Sequence, residues 1–312
     1  MTAPPLPAAV TIGTRASTLA RAQTDLVAAS LAAASPGLEC QTRVISTAGD
    51  RTQESGEPLP EIGGKGLFTA ELEQALLDGQ IDVAIHSLKD LPTEDAPGVV
   101  IGAVTAREDV RDCLVAREGV SLMELPTGAV VGTSSLRRAA QLAALRPDLE
   151  IRSIRGNVDT RIRKVEEGQF DAVVLAAAGV RRLGLERTVA EWLSEETMLP
   201  APGQGALAVQ CRADDDPMRA LLSALDDPAA RTTTAAERAF LAGLGGGCAA
   251  PIAALAVATA APRVRLQGLV ASVDGREVVR VGGDGESLEV GQRLAEEALS
   301  AGADRILAAI RG

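Results

Sequence analysis

The feature that most constrains the fold is a repeated unit in which a short apolar run ends at a polar turn and a helical spacing of leucines begins. Residues 10–16 (VTIGTRA) open the first unit, and residues 128–145 (GAVVGTSSLRRAAQLAAL) form another. Apolar runs that alternate with helices are typical of parallel sheets covered by helices, and such sheets bind ligands at the carboxyl ends of their strands. We therefore predict an α/β protein whose functional residues follow its strands.

The length of the chain predicts roughly two domains, possibly three, and the connectors along the sequence favour three. A chain of 312 residues exceeds the usual size of one domain. A charged stretch after Val104 is typical of a connector, and the Pro/Gly-rich segment 199–212 is expected to return the chain to the first domain. The last domain is predicted to be α+β, with a hairpin turn at Asp274-Gly275. The predicted boundaries are 1–107 with 201–223 for domain 1, 108–200 for domain 2, and 224–312 for domain 3.

Composition excludes several classes of function. The chain has three Phe, one Trp, no Tyr and a net charge of −11, which disfavours both stacking on nucleic-acid bases and attraction to polyanions. Four widely separated cysteines and a single histidine exclude the usual zinc spacings, so no metal is expected. With no signal sequence and no apolar run that could span a bilayer, we predict a cytoplasmic protein that binds neither membrane nor nucleic acid, with a monomer as the default state.

A cluster of polar side chains follows the apolar run IDVAI in the first half of the chain. His86, Ser87, Lys89 and Asp90 come in quick succession where a strand should end, which is where a site would be assembled. The alternative is a surface pair of Lys89 with Asp90, which contributes little to stability. Arg15 follows the first strand in the same way and is a candidate for the same site. The alternative interpretation of Arg15 is an arginine exposed at the surface.

Two arginines stand where the charge of a helix disfavours them. Arg137 and Arg138 open the helix after the turn GTSS, and cations in a first helical turn oppose the helix dipole by about 0.3–1 kcal/mol each. A charge-assisted hydrogen bond to a carboxylate contributes about 1.5–3 kcal/mol, which outweighs that cost. We therefore predict an anionic ligand between these arginines; the alternative is a pair of solvated side chains.

Two further strand ends carry arginines in this acidic chain. The planar guanidinium matches carboxylates and phosphates, so three such strand ends predict a pocket for a small molecule with several carboxylates. We expect that pocket between two α/β lobes. The arginines after the next two apolar runs are Arg152, Arg155, Arg161, Arg163, Arg181 and Arg182.

A run of glycines, residues 245–247, precedes the thiol of Cys248. Glycines leave open space around the next side chain, and a thiol on such a loop can act as a nucleophile or as a covalent attachment point. The alternative is a glycine run that stops a helix and is followed by an inert small residue.

Seven motifs in fixed order give the chain a resemblance to a known family. They are GTRAS, GGKGLF, HSLKDLP, VGTSSLRR, IRGNVDTR, LPAPGQGA and GGCAAPI, and they extend from about Ile12 to the C-terminus. A chain with these motifs resembles the porphobilinogen deaminases (hydroxymethylbilane synthases) of tetrapyrrole and heme biosynthesis. The resemblance implies three domains, the first two like a two-lobed type II periplasmic binding protein and the third a small α+β domain.

The resemblance also implies a cofactor and a reaction. A dipyrromethane joined to Cys248 by a thioether would prime the stepwise addition of four porphobilinogens with loss of ammonia. Water would then release the linear hydroxymethylbilane. Asp90 would be the catalytic carboxylate beside the pyrrole nitrogens, where it would stabilise the cationic azafulvene that forms as ammonia leaves.

Further residues are implied motif by motif. The residues implied to bind the cofactor, besides Cys248, are Ser87, Lys89, Thr133, Ser134, Ser135, Arg137 and Arg138. The residues implied to bind substrate are Arg15, Ser17, Arg155, Arg161, Arg182 and Gln204. A loop over the cleft would include Lys65 and Phe68.

One departure and one competing interpretation accompany the resemblance. Members of the family often have an arginine where this chain has Ala48, so one substrate contact is expected to be missing or replaced. The competing interpretation is a two-lobed anion receptor without enzymatic activity, carrying an added α+β module. Such a receptor would need neither an exposed loop thiol nor the HSLKD motif.

Overall fold

The computed structural model describes residues 6–48, 69–247, 250–260 and 262–311. Its contacts divide the chain into two compact units. The first unit comprises Met1–Arg107 with Ala206–Arg231, and the second comprises Glu108–Gly205 with Thr232–Gly312. This division is coarser than the three predicted domains, whose boundaries stay a prediction.

Strands and helices alternate over most of the chain. None of the helices in the described ranges combines the length with the apolar character that a membrane span requires. A short 3-10 turn, Leu88–Asp90, follows the third strand. In chain order the elements are β1 (Ala9–Thr14), α1 (Thr18–Ala34), β2 (Glu39–Val44), α2 (Ala70–Leu77), β3 (Val83–Ser87), β4 (Val99–Val104), β5 (Asp112–Ala116), β6 (Val130–Gly132), α3 (Leu136–Leu145), β7 (Glu150–Arg152), α4 (Val158–Glu166), β8 (Ala172–Ala176), α5 (Ala177–Arg182), β9 (Glu191–Trp192), β10 (Leu207–Arg212), α6 (Asp216–Leu222), α7 (Pro228–Gly243), β11 (Ile252–Ala260), β12 (Arg263–Ala271), β13 (Val278–Glu286), α8 (Ser287–Ala298) and α9 (Asp304–Arg311).

The sheet of the first unit has the strand order β2-β1-β3-β10-β4. β1 runs parallel to β2 and β3, whereas β10 runs antiparallel to β3 and β4. Val10, Val83 and Val209 from three of these strands share a core with Leu31 of α1. Because β1 and β3 are parallel, the segments that follow them begin at the same edge of the sheet.

The sheet of the second unit repeats this arrangement in the order β7-β6-β8-β5-β9. β6 runs parallel to β7 and β8, and β5 runs antiparallel to β8 and β9. Val131 and Val174 form part of the core on one face, with Leu142 of α3. The carboxyl ends of β6, β7 and β8 therefore lie along one edge, from which α3, α4 and α5 begin.

The C-terminal part of the second unit is an antiparallel sheet in the order β11-β12-β13, packed against helices. Phe240 of α7, Leu266 of β12 and Leu294 of α8 are buried in its core. The predicted turn at Asp274-Gly275 joins β12 to β13, and Gly275 has a φ of +72°. The predicted α/β class, with a small α+β unit at the C-terminus, is confirmed.

Candidate functional site

The first unit brings two sets of predicted residues to one sheet edge. Arg15 and Ser17 follow β1, whereas Ser87, Lys89 and Asp90 end β3 and form the turn after it. The Ser17 hydroxyl caps α1 by accepting the backbone N–H of Ala20 at 3.2 Å. Asp90 is exposed and Lys89 is half-buried, so both are accessible to a ligand at this edge.

His86 lies just before this set and is 6% exposed. Burial and, to a smaller extent, the charge of Arg15 lower the pKa of its imidazole to about 4, while the nearby Gln210 opposes the shift. Its Nε2 has no hydrogen-bond partner within the part of the chain that the structure describes. His86 is therefore a neutral imidazole at ordinary pH.

The hydroxyl groups after β6 bind the neighbouring strand ends. Ser134 Oγ donates to the carbonyl of Ile154 at 2.6 Å and accepts the backbone N–H of the same residue at 3.1 Å. Thr133 Oγ1 accepts the backbone N–H of Ser135 at 3.2 Å. The Ser134 bonds hold the end of β6 against the segment that follows β7, whereas the Thr133 bond stabilises the turn itself.

Arg137 and Arg138 are buried rather than solvated, and they share an internal carboxylate. They are 4% and 6% exposed, and both meet the carboxylate of Asp112, which is fully buried. Arg137 Nη1 lies 2.8 Å from one carboxylate oxygen, and Arg138 Nη2 lies 2.7 Å from the other. The carboxylate of Asp112 offsets part of the cost of placing two cations in the first turn of α3. The alternative of two solvated side chains is wrong. Asp112 is a residue that the sequence analysis missed.

Gln204 belongs to the same buried group. It is 0% exposed, and its Nε2 donates to the carbonyl of Val110 at 2.8 Å and to Asp112 Oδ1 at 3.0 Å. These contacts show that Gln204 organises the protein around Asp112. Its contact with substrate stays a prediction.

The remaining predicted arginines of the second unit include a cluster of like charges. Burial, together with the positive charges of Arg138 and Arg155, lowers the pKa of Arg161 to about 10. Arg161 Nε donates to the carbonyl of Gly156 at 2.8 Å. Neighbouring guanidiniums in a partly buried place favour a ligand with more than one carboxylate.

Arg182 is half-buried at the end of α5. Its Nη2 donates to the carbonyl of Gly205 at 2.6 Å. Burial lowers its pKa, and the nearby Glu108 opposes that effect. The carbonyl is neutral, so this bond leaves the charge of Arg182 without full compensation.

Three other arginines of this region lie in surface ion pairs. Arg152 pairs with Glu150 at 2.6 Å, and Arg163 lies 3.7 Å from Glu167. Arg181 pairs with Asp109 at 3.1 Å and also stacks on the ring of Trp192. Their charges are met at the surface, which separates them from Arg155, Arg161 and Arg182.

Three of the predicted residues, Cys248, Lys65 and Phe68, lie outside the described residues. The other cysteines are free thiols: Cys40 is half-buried, and Cys113 and Cys211 are buried. Burial raises the pKa of Cys113 to about 12 and that of Cys211 to about 11, so neither is a thiolate at neutral pH.

Fold and site together define a class: an α/β protein whose clustered guanidiniums suit a small polycarboxylate. Residues 10–220 match the family model described as "Porphobilinogen deaminase, dipyromethane cofactor binding domain", and residues 231–300 match "Porphobilinogen deaminase, C-terminal domain". The chain belongs to the porphobilinogen deaminase family.

Curated relatives agree with this membership. The porphobilinogen deaminase of Roseiflexus castenholzii is 50% identical over 301 residues, covering 96% of this chain and 98% of its own. That of Brevibacillus brevis is 47% identical, covering 96% of each chain. That of Deinococcus radiodurans is 46% identical, covering 97% of this chain and 99% of its own.

Some solved structures show a distant likeness. The BenM effector binding domain with its effector benzoate has a TM-score of 0.43 at 13% identity, covering 70% of this chain and 90% of its own. The methionine binding protein MetQ has a TM-score of 0.42 at 11% identity, with the same coverage. Similarity at this level says nothing about what the chain binds.

Proposed function

We propose that the chain is a hydroxymethylbilane synthase, a transferase that condenses four porphobilinogens head to tail with loss of ammonia and then releases the linear product with water. The observation that carries this proposal is the family match, which extends over both parts of the chain. We place the enzyme in the cytoplasm as a monomer, with porphobilinogen and the growing polypyrrole as its partners.

The residues present fit a dipyrromethane. Each pyrrole ring carries an acetate and a propionate, and the second unit supplies neighbouring guanidiniums at Arg138, Arg155 and Arg161. The buried Nε of Arg138 has no acceptor among the described residues, which leaves a donor for such a carboxylate. When bound, the dipyrromethane supplies the pyrrole carbon to which each new unit is joined. The residues proposed to hold it are Cys248, by a thioether, with Ser87, Lys89, Thr133, Ser134, Ser135, Arg137 and Arg138.

Asp90 is proposed as the catalytic residue. It ends the turn Leu88–Asp90, and this turn is anchored because Leu88 and Leu91 are 1% and 3% exposed. The backbone N–H of Leu88 also donates to the carbonyl of Ala206 at 3.0 Å. A carboxylate carried on this anchored turn is proposed to stabilise the positive charge that develops on the substrate as ammonia leaves.

Substrate carboxylates are proposed to pair with half-buried arginines of both units. Arg155, Arg161 and Arg182 serve this purpose in the second unit, and Arg15 does so in the first. Ser17 and Gln204 are proposed to orient substrate through the segments that they fix. Lys65 and Phe68 are proposed to belong to a loop that covers the bound chain.

Intact mass tests the attachment. The wild-type chain is expected to be heavier than its polypeptide by one dipyrromethane, and Cys248→Ser is expected to have the polypeptide mass and no turnover of porphobilinogen to uroporphyrin. Cys40→Ser is the matched control, since it removes a half-buried thiol outside the proposed site and should leave the added mass in place. An unmodified wild-type chain from cells that make porphobilinogen would instead favour an anion receptor.

A further inference from the structure

Asp112 is the one described carboxylate that faces two of the proposed cofactor arginines. It is the first residue of β5, at the end of a charged connector that gives no sequence signal of a site. The side chain is 0% exposed. Burial alone would raise the pKa of its carboxyl, but the charges of Arg137 and Arg138 outweigh that effect and hold the pKa well below its usual range. Asp112 is therefore an anion at any pH at which the enzyme works.

Each arginine is held at two points, which fixes the direction of its guanidinium. Arg137 Nη1 contacts Asp112 Oδ2 at 2.8 Å and donates to the carbonyl of Leu199 at 2.7 Å. Arg138 Nη2 donates to Asp112 Oδ1 at 2.7 Å, while its Nη1 donates to the carbonyl of Val174 at 3.0 Å. The contact of Arg137 with Oδ2 is an ion pair without hydrogen-bond alignment, so it attracts the guanidinium by charge while the bond to Leu199 sets its direction.

The charges within this group do not balance. One carboxylate faces two guanidiniums, and the amide of Gln204 adds a donor but no charge. The group therefore carries an excess of one positive charge in a place where an unpaired charge is costly. The same group contains a donor without a partner, because the buried Nε–H of Arg138 meets no acceptor in the described ranges.

We infer that Asp112 is a positioning residue for cofactor assembly: it orients Arg137 and Arg138 and leaves one positive charge and one donor for a carboxylate of the dipyrromethane. This inference rests on the proposed function. Without Asp112, the two guanidiniums would repel each other, and each would be held only by its bond to a backbone carbonyl, so the geometry that receives the carboxylate would be lost before the chemistry begins.

The test measures how fast the cofactor-free chain acquires its cofactor. Wild type and variants, produced in cells that cannot make porphobilinogen, are incubated with porphobilinogen, and intact mass is followed over time. Asp112→Asn keeps the shape and removes the charge, and its uptake is expected to be about 10- to 100-fold slower, the range seen when a residue that orients a metal ligand is lost. Asp112→Glu keeps the charge but displaces it, so its uptake should be intermediate.

A matched control is available three residues earlier. Asp109 also meets two arginines, Arg111 at 2.7 Å and Arg181 at 3.1 Å, but outside the proposed site. Asp109→Asn is therefore expected to take up cofactor at the wild-type rate. Melting temperatures measured on the same samples separate slow uptake from instability.

The outcomes distinguish the two proposals. If wild type gains no dipyrromethane, the proposed function itself fails. If wild type gains it and Asp112→Asn and Asp112→Glu gain it equally fast, only the positioning role is overturned. Should Asp112→Asn fail to fold, Asp112→Glu decides, because it retains the buried negative charge and a wild-type rate in that variant would contradict the inference.

Discussion

At the scale of single residues, Asp90 and His86 show how differently two polar groups of one segment are placed. Asp90 is exposed at the end of its turn, whereas His86 is buried in the sheet beside Gln210. An exposed carboxylate can meet a cation that forms on a ligand, but a buried neutral imidazole resists gaining charge. The two residues therefore give separate predictions, one for activity and one for stability.

Replacing Asp90 is expected to stop turnover without removing the cofactor. Asp90→Asn keeps the size of the side chain and loses the charge that stabilises the cation, so kcat should fall at least about 100-fold. Intact mass should still show the dipyrromethane, or a stalled adduct, on the variant. Asp95→Asn, at an exposed aspartate of the same segment, serves as the control and should turn over normally. Normal turnover in Asp90→Asn would contradict the catalytic role.

His86 predicts a specific loss of stability in mild acid. The pKa of its imidazole falls from 6.5 to about 4 on folding, so the unfolded chain binds the proton more readily than the folded one does. The stabilisation is complete above about pH 6.5 and is lost as the pH falls toward 4, by about 3 kcal/mol in total. Urea unfolding of wild type and His86→Gln across this range should show a shallower pH slope in the variant.

An NMR titration measures the same pKa directly, and its imidazole signal belongs to His86 because the chain contains one histidine. The proton NMR signal of its imidazole should titrate near pH 4 in the folded protein. A titration near pH 6.5, or equal slopes in the two proteins, would show that the ring is not held neutral by burial.

At the scale of elements, most of the alternating strands and helices follow from local pattern. Ser17 is a good helix cap, and the apolar run before His86 is a buried strand, so α1 and β3 are found where the sequence predicts them. β11 is different, because its alanines have weak strand propensity. It is a strand because its register with β12 supplies hydrogen bonds, which no local pattern reveals.

The hairpin between β12 and β13 gives a prediction at this scale. A Cβ on Gly275 would overlap the backbone of Ala143 and Ala144 in α3, and its φ of +72° is unfavourable for other residues. Gly119 has a similar φ of +68° but open space around it. Gly275→Ala should therefore cost about 1–3 kcal/mol more than Gly119→Ala, since it adds overpacking to the same backbone strain. Equal urea midpoints for the two variants would rule out tight packing of the hairpin on α3.

At the scale of the whole molecule, the sequence predicts where the arginines gather but not which of their charges are neutralised by carboxylates. The sequence shows an acidic chain with arginines gathered after three strands, and Arg155, Arg161 and Arg182 lie there in the structure. It does not show that Asp112 neutralises part of that charge, because the aspartate lies 26 residues from Arg138 in a stretch rich in acids. Nor does it show which arginines are already paired at the surface, since that depends on packing.

The position of β10 has a consequence for synthesis. This strand lies between β3 and β4, so the first sheet stays split until residues 207–212 have left the ribosome. The strands of the second sheet, β5 to β9, all end by Trp192 and are complete earlier. The edges of β3 and β4 therefore stay unpaired while later segments are synthesised, and an unpaired strand edge is a site at which nascent chains aggregate.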